Sequence, residues 1–119
     1  MGTGARRSQT TVESPPRGMS RDIIFSSVAR LEFDEAILWY DEQQPGLGDE
    51  FEAEVNHVIE EIQKTPERFR FASLETRKAR LLGRFHRYSI YFYVQPDHIG
   101  IVSVFDGARN PAELRRRLK

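Results

Sequence analysis

AILWYDEQQPGLGDEFEAEV, residues 36–55, decides the architecture. On its N-terminal side Ala29, Phe33, Ala36, Ile37 and Tyr40 recur at i, i+4, i+7, i+8 and i+11, one stripe of an amphipathic helix. Asp34, Glu35, Asp41 and Glu42 fall largely outside that stripe. On its C-terminal side Phe51, Val55, Val58, Ile59 and Ile62 give a second apolar helical face that runs to about Lys64. Between the two, Pro45 pushes Gln44 out of helical geometry, and Gly46 and Gly48 admit positive φ, so residues 45–48 read as a tight reversal. The stretch is a helical hairpin. Asp49 with Glu52 three residues on makes a capping-box-like start for its second helix, and Thr65-Pro66 closes it. Upstream, Ile23, Ile24 and Phe25 form a short β-prone run that stops at Ser26 and Ser27, good caps for the first helix.

Beyond Phe69 the apolar period changes from helical to alternating. Residues 78–85, 88–95 and 99–105 are three strand-like runs, joined by a connection at His86-Arg87 and a turn at Pro96-Asp97-His98, which predicts an antiparallel meander. In the second run Ile90, Phe92 and Val94 share a face opposite Tyr91 and Tyr93. The third is apolar on both sides, Ile99, Ile101 and Phe105 against Val102 and Val104, and is expected to be central. Asn110, Pro111 and Glu113 supply N-cap, N1 and N3 of a last short helix, with Arg115, Arg116 and Arg117 at its negative dipole end. The class is α+β: a short strand, a helical hairpin, a three-stranded meander and a C-terminal helix.

A chain of 119 residues with 39% hydrophobic side chains has room for one modest core. With no cysteine there is neither a disulfide framework nor a thiolate metal site, and a reducing cytoplasm is the expected compartment. Residues 1–18 contain no apolar run that could serve as a signal-peptide core, and no later stretch approaches the length of a bilayer span. Residues 1–18, rich in Gly, Ser, Thr, Pro and Arg, bury too little to repay ordering and are read as a disordered tail before a domain at 19–119. A nucleic-acid arm on Arg6, Arg7 and Arg17 is the sharper reading of that tail, and three scattered bases support it poorly. His57, His86 and His98 have no ligand spacing among the carboxylates, so neither a metal nor any other cofactor is expected. The zero net charge conceals a division: residues 31–67 hold twelve acids and one base, Lys64, whereas 68–119 hold twelve bases and four acids.

Three segments carry a family resemblance. Ala36-Ile37-Leu38-Trp39-Tyr40 followed by Pro45-Gly46-Leu47-Gly48, Phe51 and Val55 resembles the hairpin of the ParE-like (plasmid-stabilisation) branch of the RelE/ParE toxin superfamily. Arg80-Leu81-Leu82-Gly83-Arg84-Phe85 with Tyr88-Ser89-Ile90-Tyr91-Phe92, and Val104-Phe105-Asp106-Gly107-Ala108-Arg109-Asn110-Pro111, resemble its remaining motifs, in the same order, over residues 23–118. The resemblance implies the toxin of a bacterial type II toxin–antitoxin system, silenced by a cognate antitoxin. That partner would also be the toxin's only route to operator DNA. It implies one of two targets: ParE-like members poison DNA gyrase, and RelE-like members cleave messenger RNA on the ribosome.

Metal-free RNA cleavage needs a base near the attacking hydroxyl, cations around the phosphate and a donor for the leaving oxygen. Lys78, Arg80 and Arg84 share one strand face by period 2, Arg109 follows the last strand, and His86 and Tyr88 are groups able to move a proton. Tyr91 and Tyr93 are either packing residues or, if open, stacking surfaces among these bases. RelE-like nucleases carry a tyrosine in the terminal segment; residues 110–119 have none, and arginine cannot give up a proton at neutral pH. His86, in a strand connection, reads first as an exposed loop histidine. Arg109 either contacts a target or pairs with Asp106 and caps a strand end. Trp39 reads as packing within the hairpin. The first expectation is a non-enzymatic gyrase binder. The alternatives are a ribosome-dependent ribonuclease and a degenerate antitoxin-binding module without toxicity.

Overall fold

The computed structural model describes residues 21–118. The expected tail at 1–18, with Arg6, Arg7 and Arg17, lies outside them. Strand β1 (Asp22–Phe25) leads through Ser26 into helix α1 (Ser27–Gln43). The Ser26 hydroxyl accepts a hydrogen bond from the Ala29 amide at 3.0 Å, as a cap should. Helix α2 (Leu47–Lys64) follows at once, since Gly46 takes a left-handed φ of 88° that a side chain would resist. The helix therefore starts before Asp49. Gly46 is its N-cap in place of the expected Asp49–Glu52 box, and Asp49 and Glu50 lie in the first turn, favourable to the helix dipole.

Strands β2 (Arg77–Arg80), β3 (Tyr88–Val94) and β4 (His98–Asp106) are the antiparallel meander, and β1 adds parallel to β4. The sheet is thus mixed, four strands in the order β1-β4-β3-β2, with β4 in its interior as its two apolar sides required. The expected first strand of the meander is shorter than its sequence pattern. Gly83, at φ 66°, opens a 3-10 turn over Gly83–Phe85, which takes Arg84 off the strand face it was expected to share with Lys78 and Arg80. Helix α3 (Pro111–Arg117) closes the chain, its N-cap Asn110 accepting from the Ala112 amide at 3.0 Å.

The hairpin covers one face of the sheet. Phe33, Ala36 and Tyr40 of α1 and Phe51, Val55, Val58, Ile59 and Ile62 of α2 pack on Ala79, Ile90, Phe92, Ile99, Ile101 and Val104. Each buried large side chain contributes about 1.5–3 kcal/mol. α3 covers part of the other face, where Leu114 meets Tyr91 and Phe105. Strict alternation along β4 predicts Phe105 beside Ile99 and Ile101, and the structure reverses this. Tyr91 pairs with Ser103 but Phe92 pairs with Ile101, so Val102 is the extra residue of a bulge. Past the bulge the phase flips: Val104 joins the hairpin side, and Val102 and Phe105 face α3.

Candidate functional site

Among the described residues the outer edge of β4 has no strand partner beyond the Phe25–Ile101 pair, and a buried carboxylate takes its place. Glu32, on the inner side of α1, accepts from the Ser103 hydroxyl (2.9 Å) and the Val104 amide (3.0 Å). It also accepts from Arg109 Nη1 (3.1 Å) and from Arg117 Nη1 and Nη2 (2.9 and 3.1 Å). Arg117 donates in addition to the Val102 carbonyl freed at the bulge, at 2.9 Å. Arg117 was expected to serve the dipole of its own helix; instead it reaches back and ties α3 to α1 and β4. Five donated hydrogen bonds satisfy a charge that burial would otherwise penalise heavily.

Beside this junction lies an open cleft of about 220 Å³, lined by Glu35, Ala36 and Trp39 of α1, by Arg87 and Tyr88, by Val104 and Asp106 of β4, and by Glu32 and Arg109. Two guanidiniums frame it. Arg87 donates to Asp106 at 2.8 Å through Nε and 3.1 Å through Nη2, and lies 5.2 Å from the Trp39 ring centre. Partial burial opposes its charge, but Asp106 more than compensates and its pKa rises. Arg109 bridges Glu32 and Glu113 (3.2 Å), stacks over Phe105 and keeps 41% of its side chain in solvent. Its pKa also rises, chiefly through the Glu113 hydrogen bond. Arg109 does pair, with partners other than the expected Asp106: Glu32 and Glu113 hold it, and Asp106 belongs to Arg87.

Tyr88 stands at the floor, its ring against Tyr40, Phe51 and Phe85's aromatic cluster at centroid distances of 5.9 Å to Tyr40 and 5.1 Å to Phe51. Burial, then the Asp106 charge, raises its pKa above the usual tyrosine value, so the phenol keeps its proton. The remaining sequence candidates lie around the 83–87 connection. Arg80 donates to the His86 carbonyl at 3.1 Å, Arg84 pairs with Glu50 of α2 at 3.3 Å, and the His86 ring contacts the Gly83 carbonyl at 2.9 Å. None of these three lines the cleft. Tyr91 is buried under α3, and Tyr93 lies so close on Gly100 that a Cβ there would collide with its ring, so both are packing residues. Among the described residues no group of three His, Cys, Asp or Glu is placed to hold a metal ion. No helix there is long and apolar enough to cross a membrane.

Sequence reasoning placed Tyr88 and Arg109 in the site and missed Arg87, Asp106 and Glu32; it read Trp39 as packing, and that ring is half-exposed at the cleft mouth. Glu32 had a signal, since it falls three residues after Ala29 and four before Ala36, on the buried side of the stripe. Its partners, 71 to 85 residues away, had none. No family model matches the chain. Nor does any curated protein sequence.

Proposed function

We propose that this protein is the toxin half of a type II toxin–antitoxin pair, of the ParE-like branch of the RelE/ParE superfamily, acting on DNA gyrase by binding and neutralised by a cognate antitoxin. One observation carries the reading: the three segments that bear the family resemblance converge on a single cleft. Trp39 comes from the first, Tyr88 from the second, and Val104, Asp106 and Arg109 from the third. The order of elements, strand, hairpin, meander and terminal helix, accords with the fold that the resemblance implies.

The electrostatics favour binding over bond cleavage. Both guanidiniums at the cleft are held in place by carboxylates, and a pre-paired arginine is a rigid recognition element rather than a proton shuttle. The three histidines lie elsewhere. A ribosome-dependent ribonuclease is the second reading, favoured by Tyr88, a protonated phenol that shares the cleft with Arg87 and Arg109. Inducible expression of the chain alone in a bacterial host tests the proposal. Growth arrest with an induced DNA-damage response is expected. Growth without arrest, from protein shown to be folded, would leave only an antitoxin-binding module, and arrest with cleaved messages and intact DNA would promote the ribonuclease.

A further inference from the structure

Helix α1 carries two apolar faces, and the fold uses one. Its inner stripe, Ala29, Phe33, Ala36 and Tyr40, is in the core. On the outer side Val28, Leu31, Leu38 and Trp39 remain 46%, 57%, 63% and 41% exposed. At 100° per residue these four fall within an arc of about 100°, the width of a packing face. Single exposed apolar side chains are ordinary, but two apolar pairs on one helix face, Val28 with Leu31 and Leu38 with Trp39, the second at the mouth of a cleft, mark a binding surface. Trp39 is where the two meet, with one flank on the stripe and the other lining the cleft.

Charge selects the occupant. Glu35 and Glu42 lie inside the same arc, and neither forms a salt bridge among the described residues. Arg30, the only base on α1, lies outside that arc, paired with Asp34 at 3.5 Å and stacked on Phe25. Behind Trp39, Arg87 is already neutralised by Asp106. The stripe is therefore apolar with unpaired negative charge along it. A second copy docked through this same face would set Glu35 and Glu42 against their own kind, and an anionic lipid surface would be repelled. An amphipathic helix with lysine or arginine beside its apolar face matches both features.

We propose that the outer face of α1, from Val28 to Trp39, docks a basic amphipathic helix of a partner protein, with one large apolar side chain of that helix seated against Trp39 in the cleft. This deepens the toxin reading by giving the antitoxin's docking segment its chemistry, and it rests on that reading only for the partner's origin.

Trp39 is the sole tryptophan of the chain, so its fluorescence reports on this face directly. The test titrates the full-length protein with a synthetic tryptophan-free helical peptide bearing leucines on one face and lysines beside them. A twin peptide with glutamate for every lysine serves as the comparison. The expected result is a saturable blue shift of Trp39 emission with the basic peptide, at least tenfold tighter than with its twin at low salt and weakened as salt rises. A Leu31→Ser/Leu38→Ser variant should lose at least tenfold in affinity with unchanged circular dichroism. Leu82→Ser, which removes an exposed leucine outside α1, should lose nothing. Equal binding of the twins, no binding of either, or indifference to the Leu31/Leu38 change would overturn the proposal. So would a dimer in sedimentation that the double variant dissociates, which would assign the face to a second copy. Growth arrest is scored separately: a toxic protein with an inert face fails the docking proposal alone, and a binding face on a harmless protein fails the toxin reading alone.

Discussion

Glu32→Gln is the substitution from which the structure predicts the most. The change keeps size and one acceptor oxygen, but removes the charge that faces Arg109 and Arg117 and places an amide N–H near one of their donors. Breaking a fully buried ion pair by removing one partner costs about 3–5 kcal/mol. Arg109 and Arg117 keep 41% and 26% of their side chains in water and regain some hydration, so the lower end applies, about 3 kcal/mol. In a domain of this size each kcal/mol moves Tm by about 4–8 °C, and the predicted fall is therefore about 12 °C or more. Thermal unfolding followed by circular dichroism measures it, with Asp34→Asn, an exposed acid on the same helix, as the control. A Glu32→Gln midpoint within about 4 °C of the parent would refute the reasoning, because the junction of α1, β4 and α3 would then not depend on that carboxylate. A double-mutant cycle with Arg117→Met should show a coupling of about 1 kcal/mol or more, since the two residues act as one unit.

Other consequences are as direct. Arg84→Ala should change stability by less than about 1 kcal/mol in urea unfolding, because the Arg84–Glu50 pair has 59% and 53% of its side chains exposed. Gly48→Ala should cost about 1–3 kcal/mol, since a Cβ there would collide with the Ile37 carbonyl and the Asp41 carboxylate of α1; an unchanged denaturant midpoint would count against that packing. Tyr40 and Tyr88 both have pKa values raised above the ordinary 10.0 of tyrosine, Tyr40 by burial first and Tyr88 by burial and then Asp106. Their contribution to stability is complete below pH 10.0 and is lost as pH rises through the folded-state values. An alkaline titration at 295 nm should accordingly show late-ionising tyrosines that titrate together with unfolding.

Local chemistry made most of the fold legible. The reversal after Pro45, the Ser26 and Asn110 caps and the strand runs at β3 and β4 are each written in a few adjacent residues and are found there, although the reversal is shorter than the 45–48 expected: only Gly46 takes positive φ, and Leu47 and Gly48 already belong to α2. What failed was decided at a distance. The β4 bulge at Val102 leaves no mark in the apolar pattern, because one phase of VSVF offers Val102 and Val104 to a core and the other offers Phe105. The 3-10 turn at Gly83 had a local sign, a glycine among apolar residues, but continuity with Leu81 and Leu82 argued for strand. In the candidate site, Arg109 was visible through its motif, whereas the partners holding it were not, since Glu32 precedes it by 77 residues. Arg80, Arg84 and His86 were candidates because bases near a strand end suggest a phosphate contact; they lie outside the cleft, against Glu50 and backbone carbonyls, a placement fixed by the 3-10 turn at Gly83.

The central claim, a toxin that binds gyrase through the cleft, is tested most directly by offering purified protein both targets in parallel. One arm is a gyrase supercoiling and cleavage-complex reaction; the other is translating ribosomes followed by primer extension on the message. The account predicts inhibited supercoiling or trapped cleavage complexes with the parent protein, loss of that effect in Arg109→Ala with its circular dichroism intact, and no new 3′ ends on the message. New 3′ ends at the codon in the ribosomal A site, with gyrase unaffected, would contradict it.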